Sequence, residues 1–257
     1  MEFLTEFMET GATSLYGEVG RVVRAAPPYQ GHHPGARPLS SQPGTRRLFW
    51  LVILGVVAYA VLDAVVQALP PHYSPIREAE SDLAVGPYGY VMTANFLLRG
   101  TLSLVFLYAL LKLMSQLPSD GSQAHVRRPT GGVLAMGVWS VGALLLAIFP
   151  TDVPPTPVSW HGAIHLIVAI LAFVGGTLGA LLLSIRFGES PSLRRARAHL
   201  LPLAGLSLAF LVLLLGSSGT SVGGLTERLF LGSVLLWLCV ASFFLSKVGD
   251  APSSTPA

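Results

Sequence analysis

The stretch "SWHGAIHLIVAILAFVGGTLGALLLSI", residues 159–185, holds no Asp, Glu, Lys or Arg, and its reading decides the fold. At 1.5 Å of rise per residue, a helix of this length crosses a hydrocarbon core about 30 Å thick. Backbone left unpaired in lipid is so costly that such a run must be a helix, and no alternating pattern speaks for a barrel. Working outward, comparable runs occupy Leu48–Leu69, Tyr90–Met114, Thr130–Phe149, His199–Gly216 and Leu225–Ser246. Helix breakers follow the runs at Pro70 and Pro71, Pro118, Pro150, Gly188 and Gly249.

The composition agrees. Of 257 residues, 52% are hydrophobic and 11% charged, and the mean hydropathy is +0.62. The expectation is an all-α polytopic membrane protein with six transmembrane helices. A net charge of +3 from dispersed residues is no nucleic-acid footprint. The lone Cys239 excludes an intrachain disulfide and a CxxC site.

All but three of the 16 Lys and Arg residues fall in the N-terminal tail, in the loops after the second and fourth helices, or after the sixth. The exceptions are Arg77, Arg99 and Arg228. By the positive-inside rule both termini are then cytoplasmic, in a bacterial inner (plasma) membrane. The first apolar run begins near Leu48 and is preceded by four acids, so the first helix itself is expected to direct insertion rather than a cleavable leader.

Four regions are expected. Residues 1–24 have apolar side chains at helical spacing, an amphipathic segment fit to lie in the membrane interface or to dock on a protein partner or on the bundle. Residues 25–45 are a flexible Pro/Gly/Ser linker, residues 46–248 the six-helix domain, and residues 249–257 a disordered tail.

The polar residues within the spans cluster at one level. Asp63 lies about 9 Å from the outer end of its helix, and Asn95 and Arg99 about 8 and 14 Å from theirs. Asp152, His161 and His165 stand at the outer ends of the third and fourth helices, and Glu227 and Arg228 open the sixth. A buried Arg99 requires a partner, with Asp63 and Asp152 leading and Asp82 available if the first loop folds inward. In that loop, "PPHYSPIREAESDL" at 70–83, Ser74 and Pro75 predict a short helix over 75–83. That helix would turn Ile76, Ala79 and Leu83 to the bundle and set Glu78 and Asp82 on one edge.

Three functions fit these residues. One is an outward-facing polar cavity for a small or lipidic ligand, lined by Asp63, Ser74, Arg77, Glu78, Ser81, Asp82, Asn95, Arg99, Asp152, His161, His165 and Arg228. Another is a zinc-dependent lipid hydrolase. Its metal would sit on His161 and His165, four apart on one face, with a third ligand from Asp152, His72 or Asp82 on the same side. The third is a structural or assembly subunit of a membrane complex, using the charges as helix ties. No nucleotide-binding loop or paired inverted repeat supports a pump or secondary transporter. Gly175 and Gly179 form a GxxxG pair that intrachain packing accounts for.

Taken together, "YSPIREAESDL", "ANFLLRG", "FPTD", "WHGAIHL" and "GLTERLFLGSVLLW" resemble, in order and placement, the six-helix prokaryotic membrane family catalogued as domain of unknown function 998. The resemblance covers roughly residues 48–246 and leaves the tail outside. It implies the architecture and a shared set of polar positions, Ser74, Arg77, Ser81, Asp82, Arg99, Asp152, His165 and Arg228, without a reaction. In residue types alone the chain is also similar to the seven-helix hydrolases that include alkaline ceramidases and adiponectin receptors. It departs from them in having six helices and in carrying HxxxH on the fourth.

Overall fold

The computed structural model describes residues 43–115, 131–189 and 193–248. The amphipathic N-terminal segment, nearly all of the linker, Arg127 and Arg128, and the C-terminal tail lie outside the described residues. Within them the chain forms six α-helices: α1 (Pro43–Gln67), α2 (Gly89–Ser115), α3 (Gly131–Leu146), α4 (Trp160–Phe187), α5 (Arg194–Ser217) and α6 (Gly223–Ser246). A 3-10 helix, Glu80–Ala84, sits between α1 and α2. Each helix packs on its neighbours in the chain and α6 returns to α1, closing a ring. The first loop, the N-termini of α2, α4 and α6 and the C-termini of α1, α3 and α5 therefore share one end, called here the first-loop end.

Five of the six helices are long and apolar enough to cross a membrane, which makes this a multi-pass membrane protein. The exception is α3. The sequence predicts a helix to Phe149, but α3 stops at Leu146 and Ala147–Phe149 form a turn closed by Ile148 N–H to the Leu145 carbonyl at 2.9 Å. Pro150 is the cause, because the ring of a proline drives the residue before it out of helical geometry. At about 24 Å, α3 is shorter than a typical hydrocarbon core. At other ends the helices exceed the apolar runs. Pro43 suits a first helical position and starts α1 five residues early, so Arg46 and Arg47 lie inside the helix. The Arg194–Ala198 run of good helix formers likewise extends α5 back to Arg194.

The exterior is apolar, as lipid requires: Leu54, Leu166, Val212 and Leu215 are each more than half exposed. Since lipid tails are as apolar as leucine, burial alone cannot hold the helices together, and close approach and interhelical hydrogen bonds take over. On α4 a Cβ at Gly175 would come within 2.7 Å of the Ala135 carbonyl, and one at Gly179 within 2.8 Å of the Met136 nitrogen. The GxxxG pair is thus filled by α3 of the same chain. Trp139 on α3 donates to Ser103 on α2 at 3.1 Å, and Trp237 on α6 donates to Ser184 on α4 at 2.9 Å. Both indoles are buried, while Trp160 is exposed at the first-loop end, where an interfacial anchor belongs.

Candidate functional site

The first loop is fastened to the start of α6. Arg228 Nη1 donates to the carbonyls of Pro75 at 2.9 Å and Glu78 at 3.0 Å, and its Nη2 reaches the Tyr73 hydroxyl. Tyr73 in turn donates to the Ala79 carbonyl at 2.8 Å. Burial raises the Tyr73 hydroxyl pKa well above the usual phenol value, so it stays protonated to make this bond. The Leu225 N–H, an orphan donor of the first turn of α6, is taken by the Ile76 carbonyl at 3.0 Å. This approach needs Gly224, where a Cβ would stand 2.2 Å from the Glu78 carbonyl oxygen.

The loop is not the predicted helix over 75–83. One helical turn follows Ser74, whose carbonyl accepts from Arg77 at 3.0 Å and Glu78 at 2.9 Å, and the chain then restarts as the 3-10 helix at Glu80. The Arg228 side chain occupies the Glu78 carbonyl that a continuous helix would use for its own ladder. Leu83 is buried as expected, whereas Ile76 is 53% exposed. Arg77 is exposed as well.

The break turns Glu80 inward. It is 2% exposed, its carboxylate accepts from the Tyr59 hydroxyl, and its N–H donates to Glu227 Oε2 at 3.2 Å. Tyr59 also accepts from Arg99 Nη1 at 3.4 Å, so loop, α1 and α2 are joined through one phenol. Arg99 is 2% exposed. Among the described residues no carboxylate pairs with it directly, and the expected ties to Asp63 and Asp152 do not form. Instead its guanidinium sits 5.8, 5.2 and 5.0 Å from the ring centroids of Tyr59, Phe96 and Trp139. Aromatic faces attract a desolvated cation, which is how the bundle holds this charge. Among the described residues its Nε has no partner.

The carboxylates first matched to Arg99 have other work. Asp152 accepts from Ser159 N–H at 2.6 Å and Ser159 Oγ at 2.9 Å, while Ser159 Oγ caps α4 by accepting from Gly162 N–H at 3.1 Å. Asp63 accepts from Gln67 at 2.5 Å and keeps one buried oxygen without a partner. Asn95 is fully buried and donates to the Tyr59 carbonyl at 3.3 Å.

The predicted metal triad does not assemble. His161 stacks on Trp160 with 3.4 Å between ring centroids, His165 Nδ1 lies 2.7 Å from the Phe149 carbonyl, and Asp152 is committed to Ser159. Among the described residues no three His, Cys, Asp or Glu side chains gather closely enough to hold a metal.

A cavity of about 310 Å³ adjoins the loop. Its polar wall includes Ser81, Asp82, Arg99, His165 and Glu227, and its apolar wall Leu166 and Ile170 of α4 with Leu214 and Leu215 of α5. Of the predicted set it unites Ser81, Asp82, Arg99 and His165. Ser74, Glu78 and Arg228 build the loop behind it, and Asp63, Arg77, Asn95, Asp152 and His161 do not line it. Burial, and secondarily the neighbouring Glu78, raise the Asp82 carboxyl above the ordinary aspartate value.

Sequence reasoning missed Glu80 and Tyr59, and placed Glu227 at this level without assigning it to the cavity. Tyr59 carried a signal, since it lies four residues before Asp63 on one face of α1. Glu80 carried none while the loop was read as a continuous helix.

No curated protein and no solved structure matches the chain. A family match covers residues 53–243, from α1 to near the end of α6. The chain belongs to the family described as protein of unknown function DUF998.

Proposed function

We propose that this protein crosses a bacterial plasma membrane six times, with both termini cytoplasmic, and binds an amphiphilic ligand in a cavity open to the outer leaflet. The orientation rests on Arg46, Arg47, Lys112, Arg186, Arg194, Arg195, Arg197 and Lys247, all at the end opposite the first loop.

The ligand reading rests on one observation. Arg99, buried and without a carboxylate partner, forms part of the same cavity wall as Leu166, Ile170, Leu214 and Leu215. Charged groups at membrane depth are expensive and mark functional sites. A ligand with an anionic head and an apolar tail satisfies both walls. Leu166 and Leu215 are also more than half exposed and Ile170 nearly half exposed on the lipid side, so the tail leaves between α4 and α5 into the bilayer.

The test is native mass spectrometry of the protein released from detergent, beside Ile170→Trp, which fills the apolar wall. The wild type is expected to retain one amphiphile per chain and the variant to lose it. A wild type carrying none, or a variant carrying as much, would overturn the reading.

A further inference from the structure

The cavity wall brings a guanidinium and two carboxyl groups together without pairing them. Arg99 supplies a guanidinium, while Asp82 on the loop and Glu227 on α6 supply carboxyl groups in the same wall. Among the described residues neither acid pairs with Arg99. Among the described residues the Arg99 guanidinium makes one hydrogen bond, the 3.4 Å contact to Tyr59, and leaves Nε unpartnered. Opposite charges buried close together normally meet, because desolvation is otherwise uncompensated. Here the loop, α2 and α6 hold them on separate elements with space between.

His165 adds a neutral acceptor to this wall. Its Nδ1 faces the Phe149 carbonyl at 2.7 Å and must carry the proton that bond requires. In the neutral ring Nε2 is then a lone-pair acceptor. The wall thus offers an acceptor on each of Asp82, Glu227 and His165, and one guanidinium. A primary ammonium has three N–H donors and no acceptor, and a phosphodiester suits a guanidinium.

The geometry points to a zwitterionic phospholipid headgroup with a primary ammonium as the occupant: phosphate on Arg99, ammonium among Asp82, Glu227 and His165, and acyl chains between α4 and α5. The inference rests on the amphiphile reading above and names its chemical class. A choline headgroup has the charge but no N–H donors, and a glycerol headgroup has the phosphate but no cation. The former leaves the acceptors of the wall without N–H donors, and the latter brings hydroxyl donors but no positive charge to set against the carboxyl groups, a mismatch that a site built for an ammonium rejects.

The experiment offers delipidated protein an equimolar mixture of dioleoyl phosphatidylethanolamine, phosphatidylcholine and phosphatidylglycerol, and counts bound lipid by native mass spectrometry. Phosphatidylethanolamine is expected to exceed each of the others about tenfold. Asp82→Asn with Glu227→Gln, neutral and nearly isosteric, is expected to abolish that preference while total bound lipid persists. Equal binding of the three lipids, a preference for phosphatidylglycerol, or an unchanged preference in the double variant would overturn the headgroup assignment and leave the amphiphile reading standing. Binding of none would overturn both. Soluble O-phosphoethanolamine is run in parallel. If it displaces the lipid at equal concentration, a water-soluble zwitterion is the occupant and the lipid assignment fails.

Discussion

Arg99 reaches Glu80 only through the hydroxyl of Tyr59, which accepts from the guanidinium and donates to the carboxylate. The two charges belong to different elements, and neither is exposed by more than 2%. One phenolic oxygen therefore couples the position of the first loop to the charge in α2.

Tyr59→Phe keeps the ring near Arg99 and removes the relay. Leaving buried polar groups without their partner costs about 1–3 kcal/mol, and more where they are charged. The thermal midpoint in detergent is expected to fall accordingly, and Glu80→Gln, which retains an acceptor for Tyr59, to fall less. Equal midpoints for Tyr59→Phe and wild type would show that the relay contributes nothing to stability.

Arg228→Lys tests the clamp on the loop. A lysine has no planar fork with which to reach the Pro75 and Glu78 carbonyls and the Tyr73 hydroxyl together. Loss on the order of 2 kcal/mol of loop anchoring is expected, read as faster proteolysis near Arg77 with the helices intact by circular dichroism. Unchanged cleavage would mean that the Leu225 bond to Ile76 suffices.

Packing of α3 on α4 is tested by a pair of glycines. Gly179→Ala places a Cβ 2.8 Å from the Met136 nitrogen, whereas Gly137→Ala meets nothing within 4 Å. The former is expected to destabilise by about 1–3 kcal/mol, and the latter to be neutral or to gain about 0.5–1 kcal/mol from helix propensity. Equal effects in thermal melts would refute the close approach.

Asp82 gives the pH dependence a sign. Its folded pKa is raised above the ordinary 3.8, chiefly by burial and then by Glu78. The fold therefore favours the protonated carboxyl, and this contribution is complete below the ordinary value and lost as pH rises through the folded one. Melting midpoints measured from about pH 4 upward should decline more steeply for wild type than for Asp82→Asn, and the variant should be the more stable at neutral pH. Parallel profiles would remove Asp82 as the source.

Orientation can be read chemically. Ile76→Cys, in a chain whose Cys239 is replaced by Ala, puts a thiol at a position that is 53% exposed in the native chain. An impermeant maleimide added outside intact cells should label it. Labelling only after lysis would invert the topology.

Much of this architecture was legible because lipid imposes a length and forbids unpaired backbone, so five long helices stood out as apolar runs. α3 was overrun by three residues because hydropathy continues to Phe149 while the geometry before Pro150 does not. At the site, the common level of Asp82, Arg99 and His165 came from counting helix depth and charge, and Ser81 from the family resemblance. The partners of Arg99 did not, since helix depth says nothing of direction around the axis, and its actual neighbours are aromatic rings that hydropathy counts as core. Glu80 stayed hidden for a related reason. A 3-10 restart rotates side chains relative to the α-helical reading, and a distant Arg228 occupies the carbonyl at which the helix breaks.

The bonds that seat the first loop join residues far apart in the chain, 147 between Glu80 and Glu227 and 155 between Tyr73 and Arg228. During synthesis α1 and α2 can enter the bilayer long before α6 exists, and the loop between them, held to α1 through Tyr59, lacks its Glu227 and Arg228 anchors until α6 arrives. The cavity wall formed by Asp82 and Glu227 is therefore completed last. A chain cut short before α6 would keep most of its apolar helices and still lack Glu227, so the cavity wall closes only when the last helix is in place.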